Sequence, residues 1–255
     1  MKKNILKFVG VLSLAALFWS CQDMDRPELG DFPSDTGNYT PKDGEKLYVA
    51  FENKYYLNSI SGAPALKVGN PSLGDPKVGN SSFNGATDSY ISYPLKGLYS
   101  ANGISFAFWY KVNASPDRSG IITINDNDNN SDENRNQGLR IFREASGSKQ
   151  RVKLNLGIGN GESWNDGGEL NVDGNWVHIA VTVSPTTSKI YFNGVLQNTA
   201  TYTSSFDFST SNTMVVGSGA PSFVYWSHKS DLSLIDELRV FEKELTQSEI
   251  QALMQ

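Results

Sequence analysis

The chain has 255 residues, a formal net charge of −5, one cysteine and two histidines, with 38% apolar and 11% aromatic residues. That length supports a full hydrophobic core, and a single cysteine rules out a disulfide framework. The acidic balance argues against nucleic acid as a partner, and two histidines are too few for a His-rich metal centre.

In chain order, Lys2, Lys3 and Lys7 precede an apolar run from Phe8 to Trp19. This is the layout of a secretory signal peptide over residues 1–20, and it is short for a membrane span. The run leads straight into Ser20 and Cys21, and FWSC resembles a bacterial lipoprotein box with Cys21 as the lipidated residue. The alternative is a cleaved signal followed by an incidental thiol. Cleavage before Cys21 removes three lysines and no acid, taking the charge to −8. Membrane attachment would then come from the lipid, since several acyl chains anchor firmly where one does not. Residues 21–46 are polar and rich in Pro, Gly and Asp, the composition of a flexible tether. The acids just after Cys21 resemble the export signal of surface-displayed lipoproteins in some Gram-negative bacteria. The expected location is lipid-anchored at the outer membrane, on the cell surface or else on the periplasmic face.

From Leu47 onward, short runs rich in aromatic and β-branched residues alternate with Gly, Asn, Asp and Ser. They include KLYVAF, SYISYP, ISFAFWYKV, GIITI, GLRIF, RVKLNLGI, WVHIAVTV, KIYF, TMVVG and SLIDELRVF. Asn193-Gly194 marks a tight hairpin, and Thr246 with Glu249 forms a capping box that opens a short terminal helix with Ile250 and Leu253 on its apolar face. The pattern predicts an all-β fold, a two-sheet antiparallel sandwich with a short C-terminal helix, as one domain over residues 47–255.

Alternation assigns the faces. Val177, Ile179, Val181 and Val183 share one face, as do Ile104, Phe106, Phe108, Tyr110 and Val112. The opposite faces mix small residues with Trp109 and His178, which suits a concave lining. In SLIDELRVF, strict alternation puts Asp236 with Leu234, Leu238 and Val240, where a carboxylate needs a partner.

The segments SFNGATDSYISYP, ISFAFWYKV, GNWVHIAVTV, KIYFNGVLQ and LIDELRVFEKELTQSEIQAL follow one another as in bacterial laminin-G-like domains of the concanavalin A-like jelly-roll superfamily. The resemblance covers Leu47 to Leu253 and implies a two-sheet jelly roll with adjacent first and last strands. It implies an accessory or binding role, because this branch recurs in secreted glycan-degrading enzymes and surface lipoproteins. Related domains often hold a structural Ca²⁺ between the first and last strands. Here Glu52 and Asp236, with Asn53 and Asn58 nearby, would supply its oxygens. The alternative is that Asp236 accepts hydrogen bonds at a strand crossing. Trp109 and Trp176 fall where the family pattern also has Trp and are assigned to structure.

Catalytic patterns are sparse. Glu162, Asp166 and Glu169 in GESWNDGGEL lack the strict alternation of family 16 glucanases, and alginate-lyase-like strands are missing. NDNDNNSDEN, Asn125 to Asn134, resembles a calcium loop but lacks its Gly and terminal Glu, and reads as a hairpin tip. Trp164 and Trp226 stand in loop-like, polar contexts. They are the candidate sugar-stacking platforms, with Asn165, Asp166, Tyr225 and His228 as polar partners.

The leading expectation is a non-catalytic surface lipoprotein that captures carbohydrate in a polysaccharide-utilisation system, beside an outer-membrane glycan transporter. A protein-binding adhesion or assembly lipoprotein, and a glycoside hydrolase or polysaccharide lyase, stay open as alternatives.

Overall fold

The computed structural model describes residues 39–124 and 135–255. The signal segment, Cys21, most of the tether and the loop Asn125 to Asn134 lie outside the described residues. Strands are numbered in chain order. One sheet contains β1 (Glu45–Val49), β3 (Ser72–Gly74), β4 (Ser82–Asn84), β6 (Ile104–Lys111), β11 (Val177–Val183), β12 (Thr187–Phe192), β13 (Val195–Thr201) and β15 (Leu234–Phe241). The other contains β2 (Leu66–Val68), β5 (Tyr90–Pro94), β7 (Arg118–Ile124), β8 (Leu139–Ser146), β9 (Lys149–Gly157), β10 (Glu162–Asn171) and β14 (Thr213–Val216).

The first sheet runs β13-β12-β11-β6-β15-β4-β3, with β1 also pairing to β15, and the second runs β10-β9-β8-β7-β14-β5-β2. All these pairings are antiparallel, as the sequence predicts for a jelly roll. The first and last strands are neighbours. Pairing begins at Glu45, inside the stretch read as tether. There Arg239 holds Glu45 at 2.8 Å and lies 3.8 Å from the Tyr48 ring centroid.

The two inner faces make one core. Ile104, Phe106, Phe108 and Tyr110 from β6 meet Ile179, Val181 and Val183 from β11 there, as alternation requires. The outer face of the first sheet is not a concave lining. Helix α1 (Gln247–Ala252) covers it, and Ile250 and Leu245 pack on Ala107, Ala180, Tyr191 and Phe241. The small residues on that face make room for the helix. The capping box of Thr246 and Glu249 is formed as expected.

Strict alternation fails in β15. Pairing with β6 shifts between Asp236 and Arg239, and Glu237 takes a left-handed backbone at φ 54°. This bulge reverses the facing of the residues after it. Ile235, Leu238 and Val240 thereby all enter the core, and Asp236 pairs opposite Trp109 instead of sharing a face with Leu238 and Val240.

The interior also holds an ion pair. Arg143 of β8, fully buried, donates to Asp231 Oδ1 at 3.1 and 3.2 Å, to Gln150 at 2.7 Å and to the Pro116 carbonyl at 2.7 Å. The Tyr110 hydroxyl, from the other sheet, donates to Asp231 Oδ2 at 2.6 Å. Every strong group in this bridge has a partner, the condition for tolerating charge in a dry core.

Between β14 and β15, residues 217–230 form a strap across the outer face of the second sheet. Lys229 O accepts from Gly120 N at 3.1 Å, and Ser218 O accepts from the Thr123 hydroxyl at 3.0 Å. A Cβ on Gly120 would collide with the Gly219 backbone, so glycine in β7 is what permits the crossing. The strap contains one 3-10 turn, Phe223–Trp226.

Candidate functional site

The outer face of the second sheet and the strap together enclose a cleft of about 260 Å³. Period 2 builds its floor: Phe142 and Glu144 on β8, Lys153 on β9 and Trp164 on β10 point the same way. Phe142 meets Trp164 edge-on at 6.0 Å, Phe223 at 5.1 Å and His228 at 4.6 Å. His228 stacks flat on Phe223 at 4.3 Å. The result is a continuous aromatic floor running from strand to strap.

Trp164 and Trp226 stand on this floor 42% and 40% exposed, enough to offer ring surface to a ligand. The Arg135 guanidinium lies between them, 5.5 Å from one ring centroid and 5.0 Å from the other. Glu162 holds it through a two-pronged pair at 2.6 and 3.0 Å, and Asn155 donates to the same carboxylate at 2.8 Å. Hydrogen bonding from Arg135 keeps the Glu162 pKa low, so this carboxylate stays ionised. Lys153 reaches Asp166 at 3.2 Å and Glu144 at 3.4 Å.

The expected site residues are thus only partly assembled. Trp164, Trp226 and His228 line the cleft. Tyr225, 55% exposed, meets Trp226 edge-on at 5.2 Å, and Asp166 joins at the rim through Lys153. Asn165 does not join. It is buried on the opposite face of β10, where its amide donates to Ser188 O at 2.9 Å. The reason is that GESWNDGGEL is strand β10, not a loop, so neighbouring side chains point to opposite faces. Nor is His228 an open ligand contact. It is 4% exposed, its Nε2 lies 3.1 Å from Glu144, and burial pushes its pKa down to about 4. It is a floor residue.

Arg135, Lys153, Phe142 and Phe223 also line the cleft, beyond the residues expected from sequence. Outward alternation in GLRIF and RVKLNLGI marks Phe142 and Lys153, but nothing local marks Arg135, which adjoins the Asp-rich loop. Trp176 is partly exposed ahead of β11, and Trp109 carries Lys77 over its ring at 4.4 Å.

The residues expected to hold Ca²⁺ do not fit a cation. Asp236, fully buried, accepts from Lys77 N at 2.8 Å, Val78 N at 3.0 Å and Glu237 N at 2.9 Å. Exposed Glu52 instead accepts from Asn80 N and its side-chain amide at 2.9 to 3.1 Å. Asn58 Oδ1 accepts from Tyr48 N and Ile60 N, and Asn53 Oδ1 from Tyr55 N. These oxygens face N–H donors, an environment for an anion. No group of three or more potential metal ligands occurs among the described residues. Both carboxylates hold the turn over residues 77–80 in place.

A family model described as the concanavalin A-like lectin/glucanases superfamily, of laminin G type, matches residues 84–251. A comparison with curated proteins finds no match. Among solved structures, the chain is similar to domain 4 of AbnA, a GH43 extracellular arabinanase from Geobacillus stearothermophilus, solved in complex with arabinotriose. The TM-score is 0.62 at 22% identity, over 83% of this chain and 98% of that one. It is also similar to the receptor-binding domain of a botulinum neurotoxin C/D mosaic serotype, with TM-score 0.58 at 18% identity over 82% of this chain and 50% of that one. The binding domain of botulinum neurotoxin DC in complex with SialylT gives 0.56 at 16% identity, over 82% of this chain and 50% of that one. The chain therefore spans about half the length of the toxin chains. At these identities the likeness is one of fold.

Proposed function

This chain belongs to the concanavalin A-like lectin/glucanases superfamily, and from that premise we propose that it is a non-catalytic carbohydrate-binding module acting through the Trp164–Trp226 cleft. The observation that carries the reading is convergence. Two partly exposed tryptophans, from β10 and from the strap, stand over one aromatic floor. Sugar rings present apolar C–H faces to such platforms and hydroxyls to flanking charged groups. Arg135 and Lys153 supply donors there, and Glu144 and Asp166 supply acceptors. The arabinanase domain solved with arabinotriose is consistent with this reading.

Binding is favoured over hydrolysis because Glu162, beside Trp164, is held ionised by Arg135, the opposite of what a proton donor requires. In the same proposal Cys21 carries the lipid. The module would then be displayed at the outer membrane as the glycan-capture component of a polysaccharide-utilisation system, next to a glycan transporter.

Affinity gel electrophoresis of residues 39–255 against arabinan, arabinoxylan, galactan, β-1,3-glucan and α-mannan tests the reading. Retention by at least one gel, lost in Trp164→Ala and Trp226→Ala, is the expected result. Retention unaffected by both substitutions would place binding elsewhere.

A further inference from the structure

The strap divides the outer face of the second sheet, and a second depression lies on its far side. Tyr90 opens β5 there with Ile91 and Tyr93 turned into the core, which leaves its own ring on the outer face. Asp88 and Thr87 from the β4–β5 loop, Ser115 from the β6–β7 loop, and Lys229 and Val224 from the strap complete the walls. The depression has two lobes of about 280 and 310 Å³, which share Asp88, Lys229 and Ser230.

The chemistry of this hollow differs from that of the first cleft. In the first, Arg135, Lys153, Glu144, Glu162 and Asp166 are all paired. Here the side chains of Asp88, Tyr90 and Lys229 have no hydrogen-bond, ion-pair or ring partner among the described residues. Asp88 also holds a left-handed backbone at φ 51°. Aspartate usually tolerates that conformation by bonding its own backbone, yet this carboxylate makes no such bond and opens onto the hollow. A partly exposed aromatic ring, an acceptor, a donor and two hydroxyls thus converge with no structural task.

We propose that this depression is a second saccharide subsite that takes a neutral sugar residue. The apolar face of the sugar lies on Tyr90, vicinal hydroxyls donate to Asp88, and a further hydroxyl accepts from Lys229. Asp88 and Lys229 offset each other in charge, which favours an uncharged ligand. The proposal rests on the carbohydrate reading of the first cleft, and the strap forms one wall of both.

The test uses the same five polysaccharide gels with Tyr90→Leu, which keeps bulk in the strand, and with Asp88→Asn and Lys229→Ala, both at exposed positions. On a gel that retains wild type, each variant should weaken the apparent Kd about fivefold or more, with an unchanged melting temperature. If Tyr90→Leu melts low, the two exposed variants carry the test alone. Unchanged Kd in all three, on every gel that retains wild type, overturns the subsite and leaves the first cleft standing. Loss in these variants together with full binding by Trp164→Ala supports the subsite and overturns the first cleft. No retention of wild type on any of the gels overturns both.

Discussion

Trp164 and Trp226 combine ring neighbours on the cleft floor with 42% and 40% exposure. Trp164 touches Phe142 edge-on and Trp226 touches Tyr225, so truncation exposes floor without opening the core. Trp164→Ala should therefore cost about 2 kcal/mol of glycan binding, roughly thirtyfold in Kd, while the melting temperature holds. Isothermal titration beside thermal melts reads both. The two histidines carry a pH signature. Burial pushes His178 and His228 each down to about 4, so the unfolded chain, with histidines near 6.5, takes up protons first. Their contribution is full above about pH 6.5 and is lost as pH falls through 4. Asp236 opposes them: burial raises it to about 6, so its contribution is complete below about pH 4 and is lost as pH rises through 6. Two groups outweigh one, and the melting temperature should fall between pH 6.5 and 4.5. His178→Asn should flatten that slope; an identical slope would mean that the imidazole titrates alike in the folded and unfolded chain.

The β15 bulge is the element that decides the geometry of the first sheet. It sends Leu238 and Val240 into the core while Asp236 reaches out to the backbone of the turn over residues 77–80. Asp236→Ala leaves three amides without their acceptor and should destabilise the domain by about 2–4 kcal/mol. Because the partners are amides, EDTA and added Ca²⁺ should leave the melting temperatures of wild type and variant unchanged. A calcium-dependent rise in wild type alone would restore the metal expectation. The strap works similarly as an element. Its crossing over Gly120 places Phe223, Trp226 and His228 against β8 and β10, so one fourteen-residue connection supplies a third of the cleft lining.

At the scale of the whole molecule, the sheets are joined by apolar packing and by the Arg143–Asp231–Tyr110 bridge. Removing one partner strands a buried charge, and Asp231→Ala should cost about 3–5 kcal/mol, visible in urea melts. Arg143→Met with Asp231→Leu should recover much of that loss, since a well-packed apolar pair can replace a buried ion pair. Attachment is a separate question of the whole chain. Cys21→Ser should move the protein from the membrane pellet to the soluble fraction with an unchanged domain melt. Persistence in the pellet would end the lipid reading.

The sandwich, the inner faces of β6 and β11, the Asn193-Gly194 hairpin and the capped terminal helix are all legible in the residue pattern. Each depends on local period or turn chemistry, which a single strand or turn expresses alone. The pattern also marks Trp164 and Trp226 as unusual, because large rings among turn formers have little local core to join. The remaining features arise from long-range pairing and packing. The bulge at Glu237 inverts an alternation that reads as regular, because bulges arise from pairing with β6 and not from residue pattern. Asn165 and Trp164 are neighbours in sequence yet face opposite sides of β10. That tryptophans 62 positions apart share one floor, with Arg135 between them, follows from where the strap crosses the sheet. Such a crossing is set by long-range packing over one glycine, and no window of sequence contains both sides of it.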